Sequence, residues 1–337
     1  MSDLKMAVVG GGAIGGVLAA RLERAGLAPT LLARGRHLEA IRARGLEVLD
    51  EDGSYVARLK ATDSPAELGL QDIVFICLKG SALVEAAATL TPLIGPATRI
   101  VSVMNGVPWW FLNGRCDALA GHRLESVDPG GVVSAALPPA QCCGCVVHLS
   151  SAVREPGVIA KGRGNQMIVG ASAGRTDAGM TQIAELLRQA GFDVELSAQI
   201  EGAIWAKLWG NMTMNPISAI TGSTGDLILD DPLILQLVVN VMEEAQRVGA
   251  KLGIEVDMTA AQRNAQTRKL GAFKTSMLQD LEGSRPLEID GIVAAPRELA
   301  QLTGVATPWL DTILGLVRQR AMNAGLYRYS VGDPPAV

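Results

Sequence analysis

Short apolar runs alternate with helical spacing through the first two hundred residues. Met6-Ala7-Val8-Val9 reads as a buried strand, followed by a helix over Gly15 to Ala25. Pro29 to Ala33 reads as a second strand, and Leu38 to Arg44 as a short helix. Two continuous apolar runs, residues 72–78 and 99–103, suit central parallel strands covered on both faces. Further β runs fall at Cys145 to His148 and Gln166 to Val169. The alternation predicts an α/β domain with a doubly wound sheet, extended by the later strands. From about residue 200 only helical spacing remains, so the expected division is 1–199 followed by an all-α domain over 200–337. Asp231-Pro232 and Thr307-Pro308 each read as a helix start, an N-cap with proline in the first turn.

One helix in the second half breaks the apolar pattern in a regular way. Between Ile204 and Pro216, Lys207, Asn211 and Asn215 recur every four residues and stack on one helix face. Trp205, Trp209, Met212 and Met214 surround them in sequence. An ammonium among such residues is costly to bury without partners, so this stripe is expected to line a site. Pro216 biases Asn215 away from helical geometry, which predicts a kink or helix end there.

Composition narrows the setting. With 48% hydrophobic and 19% charged residues, 337 residues describe a globular protein with core enough for two domains. A net charge of -4 gives no electrostatic case for nucleic acid or an anionic membrane. The apolar stretch after Lys5 could pass for a signal peptide, but its glycines keep a pattern a signal has no use for. No other segment approaches the ~20 uncharged apolar residues of a membrane span, so a cytoplasmic protein is expected. Cys142, Cys143 and Cys145 are too crowded for a tetrahedral site, and His148 is a poor fourth ligand. Reduced thiols and no metal are expected.

The glycines at the start carry chemistry. Gly10-Gly11-Gly12-Ala13-Ile14-Gly15 fits G-x-G-x-x-G between a strand and a helix. Such a turn brings backbone close to a pyrophosphate at a helix N-terminus, so a Rossmann-type dinucleotide site is expected on Gly10, Gly12, Ala13, Ile14 and Gly15. The second strand ends in Ala33-Arg34-Gly35-Arg36, with no acid for the ribose hydroxyls. Guanidinium there suits a 2′-phosphate, which favours NADP(H), with Arg34 first and Arg36 second. A solvated basic loop is the alternative. Lys79 and Asn105-Gly106 follow two further strand ends and point to the same crevice. Lys79 could equally face water, and Asn105-Gly106 could be only a turn. Late in the chain, Ser276 reads as an N-cap with Gln279 completing a capping box, and Glu288 as a first-turn carboxylate after Pro286.

Taken in order and spacing, these pieces resemble the ketopantoate reductases (2-dehydropantoate 2-reductases) over nearly the whole chain. The likeness rests on Gly10 to Gly15, Lys79, Asn105-Gly106, Trp205-Ala206-Lys207-Leu208, Asn211, Asn215-Pro216, Ser276 to Asp280, and Glu288-Ile289-Asp290. It implies a Rossmann-type domain, an all-α domain, NADPH, and reduction of a 2-keto acid in the pantothenate pathway. Lys207 and Glu288 then match the family's catalytic lysine and active-site glutamate. Asn105, Asn211, Asn215 and Ser276 match its substrate contacts, while Arg34, Lys79 and Asn105 match its cofactor side. In carbonyl reduction, Lys207 would stabilise charge on the oxygen and supply the proton. Many members follow Glu-Ile-Asp with an aromatic residue and Asn-Gly. This chain has Gly291-Ile292-Val293-Ala294 and then Pro296, so a kinked helix and an altered pocket wall are expected. That leaves open a paralogue acting on another 2-keto acid, or on a 2-hydroxy acid with NAD. A non-enzymatic NADP(H) sensor would have no use for Lys207, Asn211, Ser276 and Glu288 together. A homodimer is compatible with the sequence, which carries no signal for it.

Overall fold

Ten strands form one mixed sheet in the computed structural model, which describes residues 4–51, 53–113, 119–172 and 178–328. They are β1 (Met6–Val9), β2 (Thr30–Leu32), β3 (Leu46–Asp50), β4 (Gly53–Ala57), β5 (Lys60–Thr62), β6 (Ile73–Ile76), β7 (Arg99–Ser102), β8 (Cys142–Glu155), β9 (Val158–Ala171) and β10 (Asp193–Leu196). Their order is β4-β3-β9-β8-β7-β6-β1-β2-β5, with β10 beside β9. Every pairing from β5 through β2, β1, β6 and β7 to β8 is parallel. The fully buried β1 and β6 bear out the expected doubly wound sheet, since strands covered on both faces need continuous apolar runs. After β1 the chain moves out to β2, and later it returns to β6 on the opposite side of β1. The strand order therefore reverses between β1 and β6, where open sheets of this kind take their ligands.

Among its described residues the first unit carries the helices α1 (Ala13–Arg24), α2 (Gly35–Arg44), α3 (Gly80–Ala86), α4 (Val132–Ala136) and α5 (Ala178–Gln189). Val17, Leu18 and Leu22 of α1 are buried in one core with Val8, Phe75 and Val101 of the strands. Gly16 lets α1 approach β9 closely, because a Cβ there would overlap the Ile159 side chain.

The β runs read at 145–148 and 166–169 are pieces of something longer. β8 and β9 are each fourteen residues, form an antiparallel hairpin, and turn through Gly157 at φ +81. The first residues of β9, just after that turn, also pair in parallel with β3. Outside the buried stretch Cys142–Val147, β8 is exposed or half-buried, so no apolar alternation marks it in the sequence.

The second unit is helical throughout its described residues: α6 (Ile200–Thr221), α7 (Gly225–Asp230), α8 (Pro232–Lys251), α9 (Ala260–Arg268), α10 (Ser276–Glu282), α11 (Ala295–Leu302) and α12 (Pro308–Asn323). The two compact units divide at 204/205, inside α6. Asp231 caps α8 as expected, accepting from the N–H groups of Leu233 and Ile234. α12 starts at Thr307-Pro308 as expected, but the Thr307 side chain accepts from no helix N–H. The carboxylate of Glu244, 1% exposed on α8, takes the Trp309 and Leu310 N–H groups at 3.0 and 2.9 Å instead. A buried carboxylate satisfied by two helix-end donors ties α12 to α8 more firmly than a local hydroxyl cap could.

At the β3 end, Asp50 meets Arg21 of α1 at 3.1 Å and Lys161 of β9 at 3.2 Å. Burial alone would raise its pKa. The Glu51 N–H, Arg21 and Lys161 outweigh that and hold it below the usual carboxylate range. A depressed folded pKa gives stability that is present above the unfolded pKa and lost as pH falls through the folded one. Asp50→Asn should therefore unfold more easily than wild type at pH 7, by about 1.5–3 kcal/mol. Denaturant titrations across pH should show the two proteins converging in acid; a gap independent of pH would contradict the ionic role.

Candidate active site

Four neighbouring parallel strands deliver candidate residues to one edge of the sheet. Gly10 follows β1, Arg34 follows β2, Lys79 follows β6 and Asn105 follows β7, all beyond the carboxyl ends. The Gly-rich turn is tightly specified. Gly10 has φ +109 and sits against the Cys77 carbonyl, and a Cβ on Gly15 would overlap the Gly10 carbonyl. Gly12 differs: a Cβ there would meet nothing within 4 Å. It is the N-cap of α1, with Ala13 and Ile14 in the first turn and no side chain capping them. Space over unsatisfied helix N–H groups is what a phosphate requires.

Around that turn the other residues fall into place locally. Arg34 is the N-cap of α2, and its side chain and that of Arg36 are exposed, with no partner among the described residues. Lys79 is the half-buried N-cap of α3. Asn105 is half-buried ahead of Gly106, whose φ of +84 calls for glycine. The chain beyond is pinned by two indoles: Trp109 donates to the Leu137 carbonyl at 2.9 Å and Trp110 to the Ser102 hydroxyl at 3.0 Å. The turn at Asn105 is thus held from both sides.

In the second unit, Lys207, Asn211 and Asn215 all lie on α6. Lys207 and Asn211 are half-buried, Asn215 is 6% exposed, and Trp205, Trp209 and Met212 are fully buried. α6 continues through Pro216 to Thr221, so Asn215 lies inside the helix and not at its end. Burial of Met214, Ile217, Ser218 and Ala219 around the proline outweighs its lost hydrogen bond.

The segment after α9 also departs from expectation. Thr275, not Ser276, caps α10, its hydroxyl accepting from the Leu278 N–H at 3.2 Å. Gln279 reaches back to the Lys274 carbonyl, so no capping box forms. Ser276 is released from that duty, and its hydroxyl faces the Asn215 amide in a long contact of 3.5 Å. Glu288 is half-buried and stands directly before a helical run over 289–302, one residue earlier than a first-turn position. That run opens with a π-helical turn, Asp290–Ala294, in which the Ala295 N–H reaches back five residues to Asp290. The widened turn absorbs Pro296, which sits in the first turn of α11. Asp290 also accepts from the Tyr327 hydroxyl at 2.6 Å.

One neighbour of the glycine turn escaped the sequence reading. His37 packs against Gly11, and its Nδ1 accepts the Gly157 N–H at 3.0 Å. Burial lowers its pKa, consistent with a neutral, accepting ring. The basic run at 34–37 hid it, because nothing in sequence separates a packed imidazole from its solvated arginine neighbours. Among the described residues, no group of three or more His, Cys, Asp or Glu stands together to hold a metal ion, and no helix is long and apolar enough to cross a membrane.

Comparison with known proteins covers both units. The model of "Ketopantoate reductase PanE/ApbA" matches residues 6–174, and that of its C-terminal domain matches residues 199–321. A 2-dehydropantoate 2-reductase of Mesorhizobium japonicum is 40% identical, over 96% of this chain and 100% of that protein. A crystal structure from Ralstonia solanacearum, named as a candidate ketopantoate reductase, is 46% identical with TM-score 0.93, covering 97% and 100% of the two chains. The 2-dehydropantoate 2-reductase of Geobacter metallireducens aligns at TM-score 0.81 and 27% identity, covering 94% and 99%.

The glycines separate two kinds of loss. Gly15→Ala should destabilise the protein by about 1–3 kcal/mol, since backbone must move. Gly12→Ala should melt close to wild type yet bind a dinucleotide at least about tenfold more weakly, because its methyl enters space the protein leaves open. Thermal melts alongside cofactor titrations read both; undiminished binding by Gly12→Ala would remove the turn from the cofactor site.

Proposed function

The chain belongs to the ketopantoate reductase family, and we propose that it reduces 2-dehydropantoate (ketopantoate) to pantoate with NADPH. The observation that carries this reading is the α6 face. An ammonium and two amides line one side of a helix whose indoles are fully buried, with Ser276 against the last amide.

The residues at the sheet edge fit a dinucleotide: an open space over Gly12, helix N–H groups behind it, and two partnerless guanidiniums after β2. With no acid in Arg34–His37 to accept from ribose hydroxyls, Arg34 and Arg36 favour the 2′-phosphate of NADP(H). Lys79 and Asn105 complete the cofactor side. The bound cofactor would supply hydride to the C2 carbonyl carbon of the keto acid. Lys207 Nζ stabilises the charge that builds on the carbonyl oxygen and delivers the proton, help worth about 10²–10⁴ in rate. Asn211 and Asn215 donate and accept without adding charge, which suits holding hydroxyls in register. Ser276, against Asn215, contributes a neutral hydroxyl to the substrate, and Glu288 sets the charge around Lys207. The π turn after Glu288 favours a second reading, a different 2-keto acid, because it reshapes the segment that follows the glutamate.

Lys207→Ala should lower kcat at least about a hundredfold while NADPH still binds. Assay by NADPH oxidation against a panel of 2-keto acids settles both points: near-wild-type turnover removes Lys207 from the chemistry, and activity confined to bulkier acids removes ketopantoate. Arg34→Ala should raise KM for NADPH about tenfold or more and leave KM for NADH nearly unchanged. Equal losses with the two cofactors would count against a phosphate contact.

A further inference from the structure

A second cation, Arg263, packs against α6 three residues beyond Lys207. Arg263 lies on α9, half-buried, and among the described residues it meets no carboxylate. Its guanidinium reaches only the Thr267 hydroxyl at 3.3 Å, one turn along its own helix. What it does touch is α6. A Cβ built on Gly210 would stand 2.5 Å from Nη2, 3.0 Å from Cζ and 3.1 Å from Nε, so the guanidinium rests on the one α6 position there without a side chain. Gly210 is three residues beyond Lys207 and one before Asn211. Three residues leave it roughly 60° short of a full turn, so Arg263 flanks the Lys207 edge of the polar stripe.

Desolvation lowers the pKa of this guanidinium, and no neighbouring acid opposes it. A partly buried cation without a counter-charge costs stability, and such a cost is offset when an anion arrives. The planar fork of arginine matches a carboxylate through two parallel hydrogen bonds. We propose that Arg263 binds the carboxylate of the 2-keto acid substrate, beside Lys207 on the α6 face. The inference rests on α6 being the substrate face. In a 2-keto acid the carboxylate carbon is bonded to the carbonyl carbon, so clamping the first fixes the second next to Lys207. Ser276 faces Asn215, at the other edge of the stripe, and is left to the rest of the substrate.

The test compares a 2-keto acid with its neutral C1 amide in wild type, R263M and R263K. R263M should raise KM for the acid about thirtyfold or more, with kcat and KM for NADPH within about threefold of wild type. The amide should be reduced equally by both, so the preference for acid over amide collapses. R263K, which keeps stem and charge, should recover part of it. Oxamate quenching of the indole fluorescence reads carboxylate binding without turnover. If wild type reduces no 2-keto acid but binds oxamate through Arg263, the reaction assignment fails and the carboxylate site stands. Equal oxamate affinity in wild type and R263M, or an unchanged acid-over-amide ratio, overturns the proposal.

Discussion

The placement of Trp205 and Trp209 against α8 is the constraint on which the second unit depends. The two indoles are four residues apart and share one face of α6, both fully buried. Trp209 donates its ring N–H to the Met242 carbonyl, and Trp205 packs where Gly249 has no side chain; a Cβ there would stand 2.7 Å from the indole nitrogen. Lys207 lies two residues from each indole, and two residues are about 200° around a helix. Burying the tryptophans therefore turns Lys207 and Asn211 to the opposite side. The rotation of α6 is set by packing, and its chemistry is a consequence.

The first unit works by a similar economy. Close packing of Gly15 on Gly10 and of Gly16 on Ile159 seats α1 directly beyond β1. With α1 fixed, its free N–H groups face the space above Gly12, at the point where strand order reverses. On the proposed reading, backbone placement alone would prepare a site for phosphate. On that reading side chains are needed only to choose among dinucleotides, a choice that would fall to the exposed pair Arg34 and Arg36.

Much of this was legible in sequence because burial leaves a periodic trace. The runs at 73–76 and 99–102 are apolar because both faces are covered, and the stripe on α6 is regular because one face is not. What escaped notice depended on partners distant along the chain. Glu244 caps α12 from sixty-five residues away, so Thr307 looked sufficient. Thr275 and Ser276 are equally good caps on paper, and only the seating of α10 chose between them. Pro216 is a helix breaker by propensity, overruled by the buried residues on either side of it. Arg263 reads as a solvated charge on a polar helix until its contact with Gly210 is seen.

The central claim is that the ammonium held opposite those indoles delivers the proton to the reduced carbonyl. Chemical rescue tests it most directly. Single-turnover oxidation of NADPH by a Lys207→Ala variant loaded with keto acid should be slow, and added methylamine or ethylamine should accelerate it in a saturable manner. A rate indifferent to amine, in a variant that still binds both ligands, would contradict the account.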